Sequence, residues 1–276
     1  MARTFQANLN DGLYRGETAT PEQIVADHPF CMGIWFKSVS TTTQKTLLWY
    51  GDVVVANDYN IELRMDKTTG YVFCRDTGIV PEISVVGATN VADGVWHYAL
   101  VNTWTTGSDP TITYNIELYV DGSYIGTSSR IDTILANTPV NAGRYAIGRW
   151  MNDVPGFSWG GQLAEAVFGK RRVTANEVMA LYRGCNPIRI LGTDLVRYHP
   201  LWGYLNSGNY VTADGNNHFG VNAQLTKVGS GNIVGANNPP IISWTFKKPF
   251  MYNEYNPHGN FPIDEQISDE ELIVSY

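Results

Sequence analysis

Apolar and polar residues alternate with a period of two along two stretches of the chain. In residues 114–120, Tyr114, Ile116, Leu118 and Val120 fall on one face while Asn115, Glu117 and Tyr119 fall on the other, the pattern of a half-buried strand. Residues 60–65 alternate in the same way. Asp121-Gly122 follows the first stretch and predicts a two-residue hairpin, because a type I′ turn needs positive φ at both central positions. Upstream, residues 96–101 are apolar on both faces, as expected of a strand covered on both sides. Residues 93–130 therefore predict an antiparallel core, with a polar loop between its arms and with Trp96, Leu118 and Val120 holding two sheets together.

The same pattern predicts further strands over residues 30–37, 46–51, 71–75, 83–86, 145–150, 161–169 and 195–203. A first edge strand is expected within residues 1–14, broken at Asp11-Gly12, and a short helical turn over 21–27 behind the cap Thr20. One helix is predicted, over residues 173–184. Thr174 and Glu177 have capping-box spacing, Val173 and Val178 have staple spacing, and Gly184 suits the left-handed position past the helix end. Val178, Leu181 and Tyr182 form its apolar stripe. So short a helix must dock on the sheets. Residues 206–240 are rich in Asn and Gly and predict irregular structure. Residues 241–276 carry Trp244, Phe246, Phe250, Tyr252 and Tyr255 ahead of an acidic run, and read as an extended arm whose aromatics need a partner surface.

Composition narrows the function. Only 16% of the residues are charged and the formal net charge is −7. Nucleic acid is excluded as a partner because its phosphates require a Lys/Arg footprint. The basic triplet Lys170-Arg171-Arg172 is expected to be a solvated turn beside the helix start. Three scattered cysteines make neither a disulfide framework nor a zinc site. The first residues hold no apolar export core and no run reaches the roughly 20 apolar residues of a membrane helix. A soluble protein made in the cytoplasm is the expectation.

Residues 91–101, Val-Ala-Asp-Gly-Val-Trp-His-Tyr-Ala-Leu-Val, followed by Ile116-Glu117-Leu118-Tyr119-Val120-Asp121-Gly122, resemble the Gly-x-Trp-His strand and Leu-Tyr-Val-Asp-Gly hairpin of laminin-G-like domains. The similarity continues through Tyr145-Ala146-Ile147-Gly148, residues 160–168 and the helix at 174–182, and spans residues 1–205. It implies an all-β, concanavalin-A-like jelly-roll sandwich of two antiparallel sheets, with one short helix. Glucanases of this superfamily carry a Glu-x-Asp-x-x-Glu strand. This chain has none; Glu165 is a single carboxylate in the corresponding texture, so a non-catalytic protein is expected. Many family members bind calcium at the sandwich rim. That makes Asp52, Asn57 and Asp58 in one loop, and Asn152 and Asp153 in another, candidate ligands beside their ordinary role as turn residues.

Trp150, Phe157 and Trp159 flank one loop and are the best candidates to stack on a sugar, unless they belong to the core. His97 is expected to be a packed, hydrogen-bonded histidine. The stretch around Tyr198-His199-Pro200 and the Asn/Gly-rich segment after it are similar to extensions of laminin-G-like proteins in tailed bacteriophages. This points to a virion structural protein, a capsid decoration or head-associated component anchored by its arm to other virion proteins or like subunits. The alternative is an adhesin or receptor-binding module for cell-surface glycans. The virion role predicts that deleting residues 241–276 abolishes particle association, and normal loading of the truncated protein would refute the anchoring arm.

Overall fold

The computed structural model describes residues 2–5, 12–16, 29–39, 45–51, 60–77, 81–108, 111–132, 144–150, 157–199, 201, 205–206, 209–210, 225–228 and 234–236. The chain divides into two units, Met1–Ile242 and Ser243–Tyr276, and all described residues lie in the first.

These residues form two antiparallel sheets. The first runs, in spatial order, β10 (Ser123–Asp132), β9 (Thr111–Val120), β8 (His97–Ser108), β3 (Phe30–Lys37), β12 (Gly161–Gly169), β1 (Ala2–Phe5) and β17 (Val234–Ala236), with β13 (Leu195–His199) also beside β12. The second runs β14 (Leu205–Asn206), β15 (Asn209–Tyr210), β16 (Leu225–Val228), β2 (Gly12–Gly16), β11 (Arg144–Ile147), β4 (Lys45–Gly51), β5 (Asn60–Met65), β6 (Tyr71–Asp76) and β7 (Ile83–Asn90). Non-sequential neighbours such as β8–β3–β12 make it a jelly-roll sandwich rather than a meander.

The first sheet is covered on both sides, which explains why β3, β8 and β12 lack polar alternation. Phe30, Met32, Ile34 and Phe36 enter the core between the sheets, where Ala99, Val101, Leu118 and Val120 meet them. Cys31, Trp35, Tyr98, Leu100 and Val167 face the other way, under α1 (Ala175–Tyr182) and α2 (Pro187–Leu191). Gly33 has no side chain because Tyr98 fills its place; a Cβ there would sit 2.5 Å from Tyr98 Oη. Trp96 packs in the helix-side cluster. It does not join the two sheets, so that expectation is corrected.

The helix begins as its capping box predicts, with both reciprocal hydrogen bonds present. Of the basic triplet only Lys170 is a plainly solvated turn residue; Arg171 and Arg172 are engaged. Arg171 donates to both carboxylate oxygens of Glu177 at 2.9 and 2.6 Å and to the Ile190 carbonyl. Arg172 donates to Glu117 at 2.8 Å and lies 3.8 Å over the Trp104 ring. Asn102 donates to the Val173 carbonyl and accepts from the Val173 amide. Charge-assisted pairs thus clamp the helix start to β8 and β9.

Other expectations shift as well. The polar stretch between the hairpin arms is itself strand, paired from Ala99–Val120 out to Ser108–Thr111; its residues are exposed, so apolar periodicity gave no sign of it. Residues 1–14 supply two strands in different sheets, each with neighbours on both sides. The Asn/Gly-rich segment contains the short strands β14 to β17. The hairpin turn has positive φ at Asp121 (51°) and Gly122 (76°), as its sequence requires. The proposed turn at 21–27 lies outside the described residues. Among the described residues, no helix is long and apolar enough to cross a membrane.

Polar groups also bridge the sheets. Arg130 on β10 meets Asp76 on β6 at 2.7 Å, with both side chains at most 1% exposed. Tyr145 on β11 pairs with His199 on β13 at 2.7 Å. At one end, Lys45 donates to Ser38 Oγ (2.6 Å) and the Gly160 carbonyl (3.0 Å). Burial pulls the Lys45 ammonium down to about 8.

Two outcomes follow from these contacts. Asp76→Ala leaves Arg130 buried without its ion partner and should cost about 3–5 kcal/mol in urea unfolding; a loss well below that range would show that the pair is not closed to water. His97 lies between Asp121 (2.7 Å) and Asp93 (3.1 Å). Burial lowers its pKa, but hydrogen bonds and charge from the two carboxylates outweigh this and hold it above the usual value. Its stabilisation is therefore complete below the unfolded pKa of about 6.5 and fades as pH rises through the folded value. The stability gap between the native protein and His97→Gln should narrow across that rise, and a constant gap would show that the imidazole does not titrate there.

Candidate functional site

The candidate site is the face of the second sheet turned away from the core. Two full rows of side chains cross it, and Asn60 opposite Gly51 stands in a third. One runs Ala146–Trp49–Glu62–Arg75–Ser84 and the other Thr46–Arg64–Phe73–Val86. Thr46 and Trp49 are three positions apart and would ordinarily point to opposite faces. A β-bulge at Leu47 shifts the register, so Leu47 and Leu48 both enter the core while Thr46 and Trp49 both point outward.

The bulge also pins the neighbouring loop. Gly148 N donates to the Leu47 carbonyl, Thr46 N to the Phe157 carbonyl and Trp159 N to the Gly148 carbonyl. This places Trp150 and Phe157 over the outward face, 5.2 Å apart. Arg64 lies beneath both rings, 4.7 Å from Phe157 and 5.5 Å from Trp150. Trp150 also packs on Trp49 and Ala146.

Charges in the face are already matched. Glu62 Oε2 meets Arg64 Nε and Arg75 Nε, each at 2.7 Å, and Arg75 Nη1 reaches Glu82 at 3.3 Å. Burial pulls Arg64 down to about 10, and Glu62 works against that fall. For Arg75, burial is outweighed by the pull of Glu62 and then Glu82, which holds it above its usual range. Both guanidiniums stay charged at neutral pH. Thr46 Oγ1, Trp49 Nε1, Asn60 Oδ1, Glu62 Oε1 and Trp150 Nε1 are all buried and, among the described residues, have no hydrogen-bond partner. Such atoms are costly unless water or a ligand serves them.

The sequence-derived candidates divide. Trp150 and Phe157 come together at this site. Trp159 does not: it is fully buried between the sheets, edge-on to Phe36 at 5.6 Å, which corrects its candidacy for sugar stacking. The rim candidates Asp52, Asn57, Asp58, Asn152 and Asp153 lie outside the described residues, as do Trp244, Phe246, Phe250, Tyr252 and Tyr255 of the arm. Among the described residues, no group of three potential metal ligands is assembled. His97 is packed and hydrogen-bonded, as expected. Glu165 sits at a bulge in β12 with φ of 55° and accepts from the Tyr198 hydroxyl; burial raises its carboxyl to about 7. It lies on the helix side of the first sheet and Glu62 on the far side of the second, so the sandwich separates them. Glu62 and Glu82 share a face, but Arg75 stands between them and donates to each, where a glycosidase needs a glycosidic oxygen.

Thr46, Trp49, Asn60, Glu62, Arg64 and Arg75 escaped the sequence reading. The alternation of residues 60–65 marks Glu62 and Arg64 as sharing a face, but only the bulge brings Trp49 and Thr46 to them.

Residues 12–179, well over half of the chain, match the concanavalin A-like lectin/glucanases superfamily. The chain belongs to that superfamily. No curated protein matches it in sequence. Among solved structures it is similar to the heptameric SAP-like pentraxin of Limulus polyphemus, with 14% identity over 71% of this chain and 89% of that one and a TM-score of 0.50. A Bacteroides ovatus protein provisionally assigned to carbohydrate binding gives 13% identity, 83% and 62% coverage and a TM-score of 0.50. The enzymatically active domain of bacteriophage CBA120 tailspike protein 2 gives 17%, 72%, 29% and 0.43. At these identities the first two likenesses establish the lectin/glucanase fold alone, and the third is too distant to support more.

Proposed function

We propose that this protein is a non-catalytic carbohydrate-binding module whose site is the outward face of the second sheet. The observation that carries this is a set of five polar atoms along the face of Trp49, Trp150 and Phe157 that have no hydrogen-bond partner among the described residues. Two are indole donors, one is a hydroxyl, and two are acceptors. A sugar presents hydroxyls that both donate and accept, and an apolar ring face that stacks on aromatics. Binding exchanges part of the Trp150–Phe157 cover for the sugar and satisfies the atoms beneath. Membership of a lectin-containing superfamily supports the assignment, as does the carbohydrate-binding designation of the Bacteroides ovatus relative in fold. Virion assembly as a capsid decoration rests on the segment after residue 200 and gains no support from the described residues.

On a glycan array the native protein should bind, and Trp150→Ala should lose that signal while still melting cooperatively. A blank array for the native protein, or a signal that Trp150→Ala leaves intact, would mean that buried water serves the five atoms.

A further inference from the structure

The polarity of the same face specifies which sugars it can hold, an inference that rests on the carbohydrate-binding assignment. We infer that the ligand is a neutral, hydroxyl-rich saccharide and that acidic sugars are disfavoured.

The argument starts from which atoms are engaged and which are not. An acidic sugar, carrying carboxylate or sulfate, needs a cation with donors to spare, and arginine is the usual choice. Among the described side chains this face holds two arginines, and Glu62 engages both. Arg64 and Arg75 converge on Glu62 Oε2 at 2.7 Å each, and Arg75 reaches on to Glu82. The rings of Phe157 and Trp150 lie over the Arg64 guanidinium. The charges of these four side chains cancel, so together they offer an anion no net attraction.

The partnerless atoms point the same way. Glu62 Oε1 is a carboxylate oxygen with no donor among the described residues, in a side chain with no exposed surface. Asn60 Oδ1, in a residue 7% exposed and one row along, is a second acceptor without a donor among the described residues. An anionic group set beside them adds acceptors where donors are wanted, and like-charge contact with a desolvated carboxylate is repulsive. A hydroxyl donates to either oxygen and still accepts from Trp49 Nε1 or Trp150 Nε1. Thr46 Oγ1 serves in both senses.

The placement also favours more than one ring. Asn60 pairs with Gly51, Glu62 with Trp49, and Arg64 with Thr46, so the polar atoms occupy three successive outward rows. Outward positions on a strand are spaced roughly 6.6 Å apart, so the three rows extend roughly 13 Å. That is the footprint of a short oligosaccharide rather than of a single hydroxyl group.

Trp49→Phe is the discriminating variant. It removes the indole N–H, which has no partner among the described residues, while keeping an aromatic ring; the smaller ring leaves a void against Trp150 and Ala146, so the melting temperature should fall by a few degrees while unfolding stays cooperative. Titration calorimetry should be run on the full chain against neutral gluco-, galacto- and manno-oligosaccharides and against matched uronic, sialylated and sulfated ones. The expected result is binding of a neutral member with an affinity that ionic strength leaves unchanged. Trp49→Phe should weaken that binding about tenfold, the loss of one ligand hydrogen bond. Salt-sensitive binding confined to acidic sugars, and abolished by Trp150→Ala, would overturn the neutral specificity while leaving the carbohydrate site standing. Binding of no sugar, or binding indifferent to both tryptophan variants, would overturn the site itself.

Discussion

A polar group between two packed sheets must find its partner there, and in this sandwich the partners come from the opposite sheet. Asp76 meets Arg130, Tyr145 meets His199, and Lys45 reaches Ser38 and Gly160. Each contact joins an element of one sheet to an element of the other. Apolar packing sets the distance between sheets of about 10 Å but tolerates sliding. A buried ion pair does not, because displacement strands a charge. These contacts therefore fix how one sheet lies on the other, and with it the level at which the β4 bulge, residues 157–159 and the outward face of the second sheet stand.

The fold was legible wherever one side of a strand faces water or a turn demands a particular backbone. The alternation of β5 and β9, the Asp121-Gly122 turn and the Thr174–Glu177 capping box are local signals, and each survives in the structure. Signals failed where burial is decided at a distance. β8 and β9 continue as exposed polar strand past Thr103, so hydrophobic period was silent there. Trp96 lies under a helix nearly 80 residues further along the chain. Arg171 and Arg172 read as solvated because their acceptors, Glu177, Ile190 and Glu117, come together only once the helix has docked.

The candidate site was half visible. Trp150 and Phe157 stand out as aromatics beside a loop, and they reach the outward face. Trp159, two residues beyond Phe157, turns into the core on the strength of the Trp159–Gly148 backbone bond. Composition could not separate the three. Thr46 and Trp49 were hidden for a different reason: their spacing of three contradicts a shared face unless a bulge lies between them, and nothing in Leu47-Leu48 announces one.

That bulge makes the outward face depend on the path of the backbone as well as on chemistry. Losing either leucine from the Leu47-Leu48 pair would leave Thr46 and the tryptophan two positions apart, so ordinary alternation would still turn both outward, with one leucine lost from the core. Keeping both leucines while straightening β4 would instead send either Thr46 or Trp49 toward the core. Every residue of the polar face would still be encoded, yet the face would no longer assemble. In a lineage of such sandwiches, a change that straightens β4 would disperse the surface without touching any residue on it, while a one-residue deletion, which an alignment scores as the larger event, would keep Thr46 and the tryptophan together.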